Sequence, residues 1–511
     1  MSLRPGDPPP DPRRPLTAAG EVREATRRGT EALPATFGVV FATLLAAAAV
    51  GAFIMLDYQF GQDPHRILKV AIGLVGLGAI VAAPMFGLMV LPVVTPFLPW
   101  VPPTPVPGLN ALNILLFTIF GTFALARVMS KQRVFRGGRL GAALGALLAV
   151  CAISIVRGAA FPTGYSYNPG DTTLQLFRSA TTFAGYFIVL AMVDGLPARR
   201  RVGWAITLGL LAEALVTIAY GRNGSGGRAL GSLGQSNELG TFLAMFAVGA
   251  VALVPATRSW LGKLVLVGAF VAGTVGVLMS VSRGGMIALG VGIAVVAWRT
   301  SKVLAFVIAL ALALSPLWAP QYVKDRISGS QVGVEGTDEV AMDSAAEARV
   351  ETWRTILEVV QTHPLDGVGF AGLVYVLPDL GSQLGLEEVK DSAHNTYLRM
   401  LAEMGVLGLL LFLWLLWKVW RLADEGVRKA RNPVDRGLAV ALCGAFAALA
   451  VSCAFGDRFF NVVISSNFWI LCALVESSLV ERAPVPAPVE LVPVPDPGLG
   501  APRSRPWQAR A

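Results

Sequence analysis

The sequence predicts an all-α polytopic membrane protein, with about 12–14 transmembrane helices of bilayer-spanning length. Three observations carry that prediction. Over 511 residues, 54% are hydrophobic and only 15% charged, with a mean hydropathy of +0.61; a soluble domain carries about 25% charged residues. The apolar residues come in continuous runs of roughly 18–25, the length that spans hydrocarbon, whereas a β-barrel would alternate apolar and polar positions. Basic residues gather in every second connection between the runs.

In chain order, residues 1–33 are polar and rich in Pro and Arg, the composition of a disordered cytoplasmic tail. The run 34–56 is too long for a signal-peptide core and has no clear cleavage site, so it is expected to be retained. Residues 67–99 contain Pro84, Pro92, Pro96 and Pro99; they form one long tilted span or two short ones broken near Pro84. Two is preferred, because it puts the basic N-terminus inside. Further spans are expected at 110–127, 139–157, 174–194, 202–220, 237–255, 262–281, 285–298, 302–318, 396–417, 437–455 and 462–480. They make one transmembrane domain, 34–480. The tail 481–511, with APVPAPVELVPVPDP, is a Pro-rich disordered cytoplasmic extension.

The charges set the orientation. Arg127, Lys131, Arg133, Arg136 and Arg139 share one loop. Arg199, Arg200 and Arg201, then Arg258 and Lys263, then Arg299 and Lys302, then Lys418, Arg421, Arg428, Lys429, Arg431 and Arg436 fill later loops of the same parity. By the positive-inside rule these face the cytoplasm. This distribution accounts for the net charge of +9 without nucleic acid. The alternate connections are external: 158–173, 221–236, the SRGG turn and 319–394, which is acidic through Glu335, Asp338, Glu339, Asp343, Glu347 and Glu351. Cys151, Cys443, Cys453 and Cys472 lie in apolar runs without metal-site spacing, as small buried hydrophobes do.

The segment 319–394 is too long for a structureless connection. Within it, AAEARVETWRTILEVVQTHP repeats Val350, Trp353, Leu357 and Val360 at helical spacing and stops at Pro364. An amphipathic helix over the outer ends of the bundle is expected, followed by the turn-rich strip HPLDGVGFAG.

Three basic residues on that external side stand out: Arg228 in GRALGSLGQSN, Arg283 in SRGG and His394 in HNTYLRMLAEMGVLG. Both arginines run against the charge bias of their side, and cations beside hydrocarbon usually mark function. Each motif alone has a plain structural explanation. SRGG is a tight turn whose arginine snorkels to headgroups. GRALGSLGQSN is a Gly/Ser turn in which Ser236 or Asn237 caps the next helix.

The combination in this order resembles the O-antigen ligase and O-antigen polymerase superfamily of membrane glycosyltransferases. It is a loop arginine before N-x-L-G, SRGG two spans on, an external loop with Trp353 and HPLDGVG, then HNTYLRMLAEMG. The resemblance covers about residues 200–420. It implies a GT-C-like bundle capped by a large periplasmic loop, in the inner membrane. It implies transfer of a glycan from undecaprenyl diphosphate to an acceptor hydroxyl, in lipopolysaccharide or exopolysaccharide biosynthesis. Arg283 matches the diphosphate arginine and is counted with His394 as catalytic. Arg228 matches a second diphosphate-binding arginine, with Arg222 nearby as the less well spaced alternative. His394 matches the essential histidine, expected to act as general base. Arg349, Trp353, Asp366 and Asn395 match supporting positions, and Glu403 a structural one. No cofactor or metal is expected, and no DxD-like motif stands out near these sites. The implied partners are the lipid-linked oligosaccharide donor, a glycan or lipid acceptor, the bilayer, a chain-length regulator and a flippase.

Two activities share these motifs. A polymerase joins lipid-linked repeat units; a ligase moves the finished glycan to lipid A–core or another acceptor. The acidic external loop, without a basic patch for a phosphorylated core, favours the polymerase. A transporter or flippase is the reading outside enzymology. It is disfavoured because the sequence has no inverted repeat with matched broken helices.

Overall fold

The computed structural model describes residues 66–101, 110–160, 167–224, 227–303, 306, 310, 331–333, 340–342, 344–383 and 392–480. The expected tails 1–33 and 481–511, the expected span 34–56, most of 302–318 and the acidic residues Glu335, Asp338, Glu339 and Asp343 lie outside them. In chain order the elements are α1 (Arg66–Ala82), α2 (Pro84–Val94) with a 3-10 turn (Thr95–Trp100), α3 (Ala111–Met129), α4 (Gly141–Ala160), α5 (Pro169–Met192), α6 (Gly195–Tyr220), α7 (Ser236–Leu253), α8 (Trp260–Ser280) and α9 (Arg283–Thr300). A two-stranded antiparallel ribbon, β1 (Gln331–Gly333) and β2 (Val340–Met342), comes next. Then follow α10 (Ser344–Thr362), α11 (Leu373–Gln383), α12 (Thr396–Lys429), α13 (Pro433–Cys453) and α14 (Val462–Val480). Among the described residues nine helices, α3–α8 and α12–α14, are long and apolar enough to cross a membrane. The protein is an all-α polytopic membrane protein.

Local chemistry sets the helix ends. Asn110, Asn168, Ser282, Asn395 and Asn432 cap α3, α5, α9, α12 and α13 by accepting a hydrogen bond from a first-turn N–H. Pro169 and Pro433 occupy first-turn positions where no N–H is needed. The stretch 67–99 is not one span: it divides at Ala83, just before Pro84. Pro96 cannot donate to Pro92, four residues back. The orphaned Pro92 carbonyl accepts instead from Asn467 Nδ2 on α14, 3.0 Å away.

Lipid tails are as apolar as leucine, so close packing rather than burial holds such helices together. Small residues permit it here. α7 packs on α8, α9 and α13, and α14 on α5. A Cβ on Gly285 of α9 would stand 3.0 Å from the Gly240 backbone of α7, and one on Gly292 2.9 Å from Val248. In the core, Phe183, Phe459 and Trp469 meet edge to face or tilted at 5.2–6.0 Å between centroids.

One end of the bundle carries the basic clusters. There Arg139 pairs with Glu425 and Arg299 with Asp424, each at 2.7 Å. Arg199 of α6 grips both oxygens of Asp435 on α13 at 2.8 and 3.1 Å, fully buried. Removing one partner of a buried pair strands the other charge. Asp435→Ala should therefore cost about 3–5 kcal/mol, seen as a lower thermal unfolding midpoint in detergent. Arg428→Ala, at an exposed pair with Asp424, should cost less than about 1 kcal/mol.

At the opposite end, α10 and α11 form a cap with its own small core. Ile356, Val359, Val368, Leu373, Val376 and Leu377 pack on Ala393 and Ala402. The buried face of α10 differs from the expected one: Leu357 is 46% exposed, while Ile356 and Val359 point inward beside Trp353 and Val360. The stripe turned because the cap packs onto Leu398 and Ala402 of α12, and sequence spacing alone cannot show that partner.

Candidate functional site

Four connections meet at the cap end. The first is 228–236, leading into α7. Arg228 Nη2 donates to Asn237 Oδ1 at 2.7 Å, and its Nε donates to the Ser280 carbonyl at 3.1 Å. Backbone pairing of Ala229 N with Met279 O holds the same strip to the end of α8. Arg222 instead bonds within its own loop, to the Gly227 carbonyl.

The second connection is the α8–α9 turn. Val281 is left-handed (φ 51°), Ser282 caps α9 through Gly285 N at 3.2 Å, and Arg283 opens the helix. The glycines of SRGG have separate tasks. Gly284 lies against Phe455, where a Cβ would come to 3.1 Å, and Gly285 against Gly240. Arg228 reaches the carbonyl three residues before Arg283, so the two arginines flank one turn.

The third is the entry to α12. His394 adopts a left-handed backbone (φ 48°), rare for a residue that is not glycine. Ser392 Oγ lies 3.4 Å from His394 N. Trp353 Nε1 donates to the Ala393 carbonyl at 2.9 Å, and Asn395 caps the helix through Tyr397 N and Leu398 N. Trp353 and Asn395 thus fix the turn that carries His394. Arg349 sits one turn before Trp353 on α10, on the same face by helical spacing.

The fourth is the α13–α14 connection, GDRFFN, which sequence reasoning missed. Asp457 accepts from Ser392 Oγ at 2.6 Å. Arg458, 5% exposed, lies 3.4 Å from Gln235 Oε1 and 3.5 Å from Glu238. Thr396 Oγ1 donates to the Gly456 carbonyl at 2.9 Å. Burial lowers the Arg458 guanidinium from its ordinary value, against the raising pull of Glu238 and Asp457. A chain of contacts therefore runs from the His394 turn through Ser392, Asp457, Arg458 and Gln235 to the Asn237–Arg228 pair. The signal was available: like Arg228 and Arg283, Arg458 is a cation between apolar runs on the side away from the basic loops.

Asp366 and Glu403 occupy a different station. Asp366 binds Arg157 of α4 at 2.6–2.7 Å, with His363 at 3.9 Å. Glu403 is buried and pairs with Arg399 at 3.1 Å. Asp366 thus ties the cap to α4, while Glu403 pairs within α12.

Four helices, α7, α9, α12 and α14, begin from these connections. Their N-termini carry partial positive charge, beside Arg228, Arg283 and Arg458. Such an end favours a bound anion.

Residues 268–413 match the family model described as O-antigen ligase. The chain carries an O-antigen ligase family domain. The match runs from within α8, across the cap, to the middle of α12. It includes Arg283, Arg349, Trp353, Asp366, His394 and Asn395, and excludes Arg228, Asp457 and Arg458. No curated protein matches the chain. An O-antigen ligase domain on a multi-pass bundle supports a membrane enzyme of O-antigen or polysaccharide assembly, with glycosyltransferase-like activity.

Proposed function

We propose that the protein is a membrane glycosyltransferase that polymerises undecaprenyl-diphosphate-linked glycan repeat units at the periplasmic face of the inner membrane. The observation that carries this reading is the meeting of Arg228, the Arg283 turn and the His394 turn at one end of the bundle, where four helices begin from the adjoining connections. The cap end lies opposite the basic clusters, which the positive-inside rule puts in the cytoplasm.

The chemistry follows from the residue types. An acceptor hydroxyl oxygen attacks the anomeric carbon of the donor sugar. The bond from that carbon to the diphosphate oxygen breaks, with inversion, and undecaprenyl diphosphate leaves with the electron pair. Charge grows on the leaving diphosphate, and guanidinium groups hold phosphate oxygens by paired, charge-assisted hydrogen bonds. The hydroxyl proton passes to the His394 imidazole. Polymerisation is favoured over ligation to lipid A–core by the acidic cap region: Glu351, Glu358, Asp366 and Asp379 lie on or beside α10 and α11.

The test is made with purified full-length protein in liposomes, given an undecaprenyl-diphosphate-linked repeat unit and no other acceptor. A product ladder is expected. Arg283→Ala should lower kcat about 10²–10³-fold, as loss of one preorganised oxyanion partner does. Arg283→Lys should recover only part, because it keeps charge without the planar fork. A ladder only after lipid A–core is added would replace the polymerase with a ligase. Full activity in Arg283→Ala would end the diphosphate assignment.

A further inference from the structure

Outside the matched segment, α6 carries a glutamate deep in the bundle. Glu213 is 0% exposed. An ionisable side chain inside a membrane-spanning helix is expensive and needs a reason. Its contacts lie in the loop that follows α6. Glu213 Oε1 accepts from Ser232 N at 2.9 Å, and Oε2 touches Ser232 Oγ. Ser232 Oγ also lies 2.8 Å from the Pro96 carbonyl. Thr217 Oγ1 stands 3.4 Å from Oε1. Gly231 (φ 57°) lies flat against the carboxyl, where any Cβ would collide with Oε1.

The Ser232 hydroxyl has one proton, and a carbonyl such as Pro96 O can only accept. With that proton on Pro96 O, the contact between Ser232 Oγ and Oε2 requires a hydrogen from the glutamate. A carboxyl that accepts at Oε1 and donates at Oε2 satisfies every contact, and a glutamine amide has the same pattern.

The loop so held is the one that presents Arg228. It is pinned by Met279 O at Ala229, by Glu213 at Ser232, and by Arg458 at Gln235 and Glu238. Asn237, which holds the Arg228 guanidinium, lies between the last two pins, Gln235 and Glu238. We propose that Glu213 is a positioning residue: it locks the 228–236 loop so that Arg228 meets the lipid-borne diphosphate. The proposal rests on the diphosphate role given to Arg228 above.

The test is a double-mutant cycle on the full chain in nanodiscs, titrated with undecaprenyl diphosphate and read by intrinsic tryptophan fluorescence. Arg228→Ala and Glu213→Ala should each weaken binding about tenfold, the scale of one hydrogen bond to a charged group. The double variant should be no weaker than Arg228→Ala alone, because Glu213 acts through it. Glu213→Gln should bind as the wild type does. A simple packing role would give a lower melting point with additive binding losses, and that outcome overturns the proposal, as does wild-type affinity in Glu213→Ala. Loss of affinity in Glu213→Gln overturns the shared-hydrogen arrangement. If Glu213→Ala does not fold, Ser232→Ala takes its place, expected to weaken binding about threefold and non-additively with Arg228→Ala; additive loss there also overturns the proposal. Wild-type affinity in Arg228→Ala would instead remove the diphosphate role of Arg228, a result distinct from failure of the tether.

Discussion

Replacing His394 by Asn should lower kcat for glycan transfer by about 10²–10⁴-fold, the range that general-base catalysis contributes, with little change in donor binding. Asparagine is chosen for a structural reason. His394 sits at φ 48°, and asparagine tolerates the left-handed region where alanine is strained. His394→Ala mixes loss of the imidazole with a disturbed turn; His394→Asn isolates the chemistry. The turn is held independently by Ser392, by Trp353 through the Ala393 carbonyl, and by the Asn395 cap. Trp353→Phe removes that indole donor while keeping an aromatic ring, so its effect should be near about 1 kcal/mol, or several-fold in rate. Single-turnover rates at saturating donor separate the two variants. Near-wild-type turnover in His394→Asn would remove the base assignment and leave the histidine as a turn residue.

How much of this was legible in the sequence depended on the range of the interaction. The fold class was legible because membrane spans are written as local runs of apolar residues. The break at Pro84 was legible for the same reason. The cap expected from Ser236 or Asn237 was not formed: Gln235 holds the cap position of α7 without a side-chain cap bond, and Asn237 accepts from Arg228 instead. Arg228 and Arg283 were found by their conflict with the charge bias, a property of sequence plus topology, and His394 by the motif HNTYLRMLAEMG at the re-entry to the bundle. What was missed is non-local. Arg458 meets Gln235 across 223 positions of sequence, and Asp457 meets Ser392 across 65. The α10 face was misjudged at Leu357 because its partner, the start of α12, comes some forty residues later. The purpose of Glu213 cannot be read until the loop after α6 is seen to fold back against it.

Gly405→Ala should be the most damaging single-methyl change in the described bundle, costing about 3 kcal/mol or more and abolishing activity with it. Helix α12 is broken at this residue, where φ is 66° and ψ −169°, a region open essentially to glycine. A Cβ would overlap the Leu365 carbonyl and stand 2.7 Å from Asp366 N. The break takes Ala402 O and Val406 N out of helical pairing, and inside a membrane each unsatisfied group costs several kcal/mol. The strip PLDGVG supplies the replacements. Val406 N donates to Pro364 O at 3.0 Å, Val368 N to Ala402 O at 2.9 Å, and Gly369 N to Glu403 O at 3.0 Å. Ser154 of α4 donates to the same Glu403 carbonyl at 2.9 Å. The sequence strips HPLDGVG and AEMG are thus two sides of one joint, and that joint sets the angle at which the first turns of α12 carry His394. A methyl at Gly405 forces the strip away, unpairs the backbone and moves the cap. Gly121→Ala is the control: that glycine lies within α3 with nothing within 4 Å of a Cβ, so the change should stabilise by up to about 1 kcal/mol. Thermal unfolding of the two variants in detergent, read beside transfer activity, decides the matter. A Gly405→Ala protein with the wild-type midpoint would mean that the joint relaxes freely, and the cap would then not be what fixes the histidine turn.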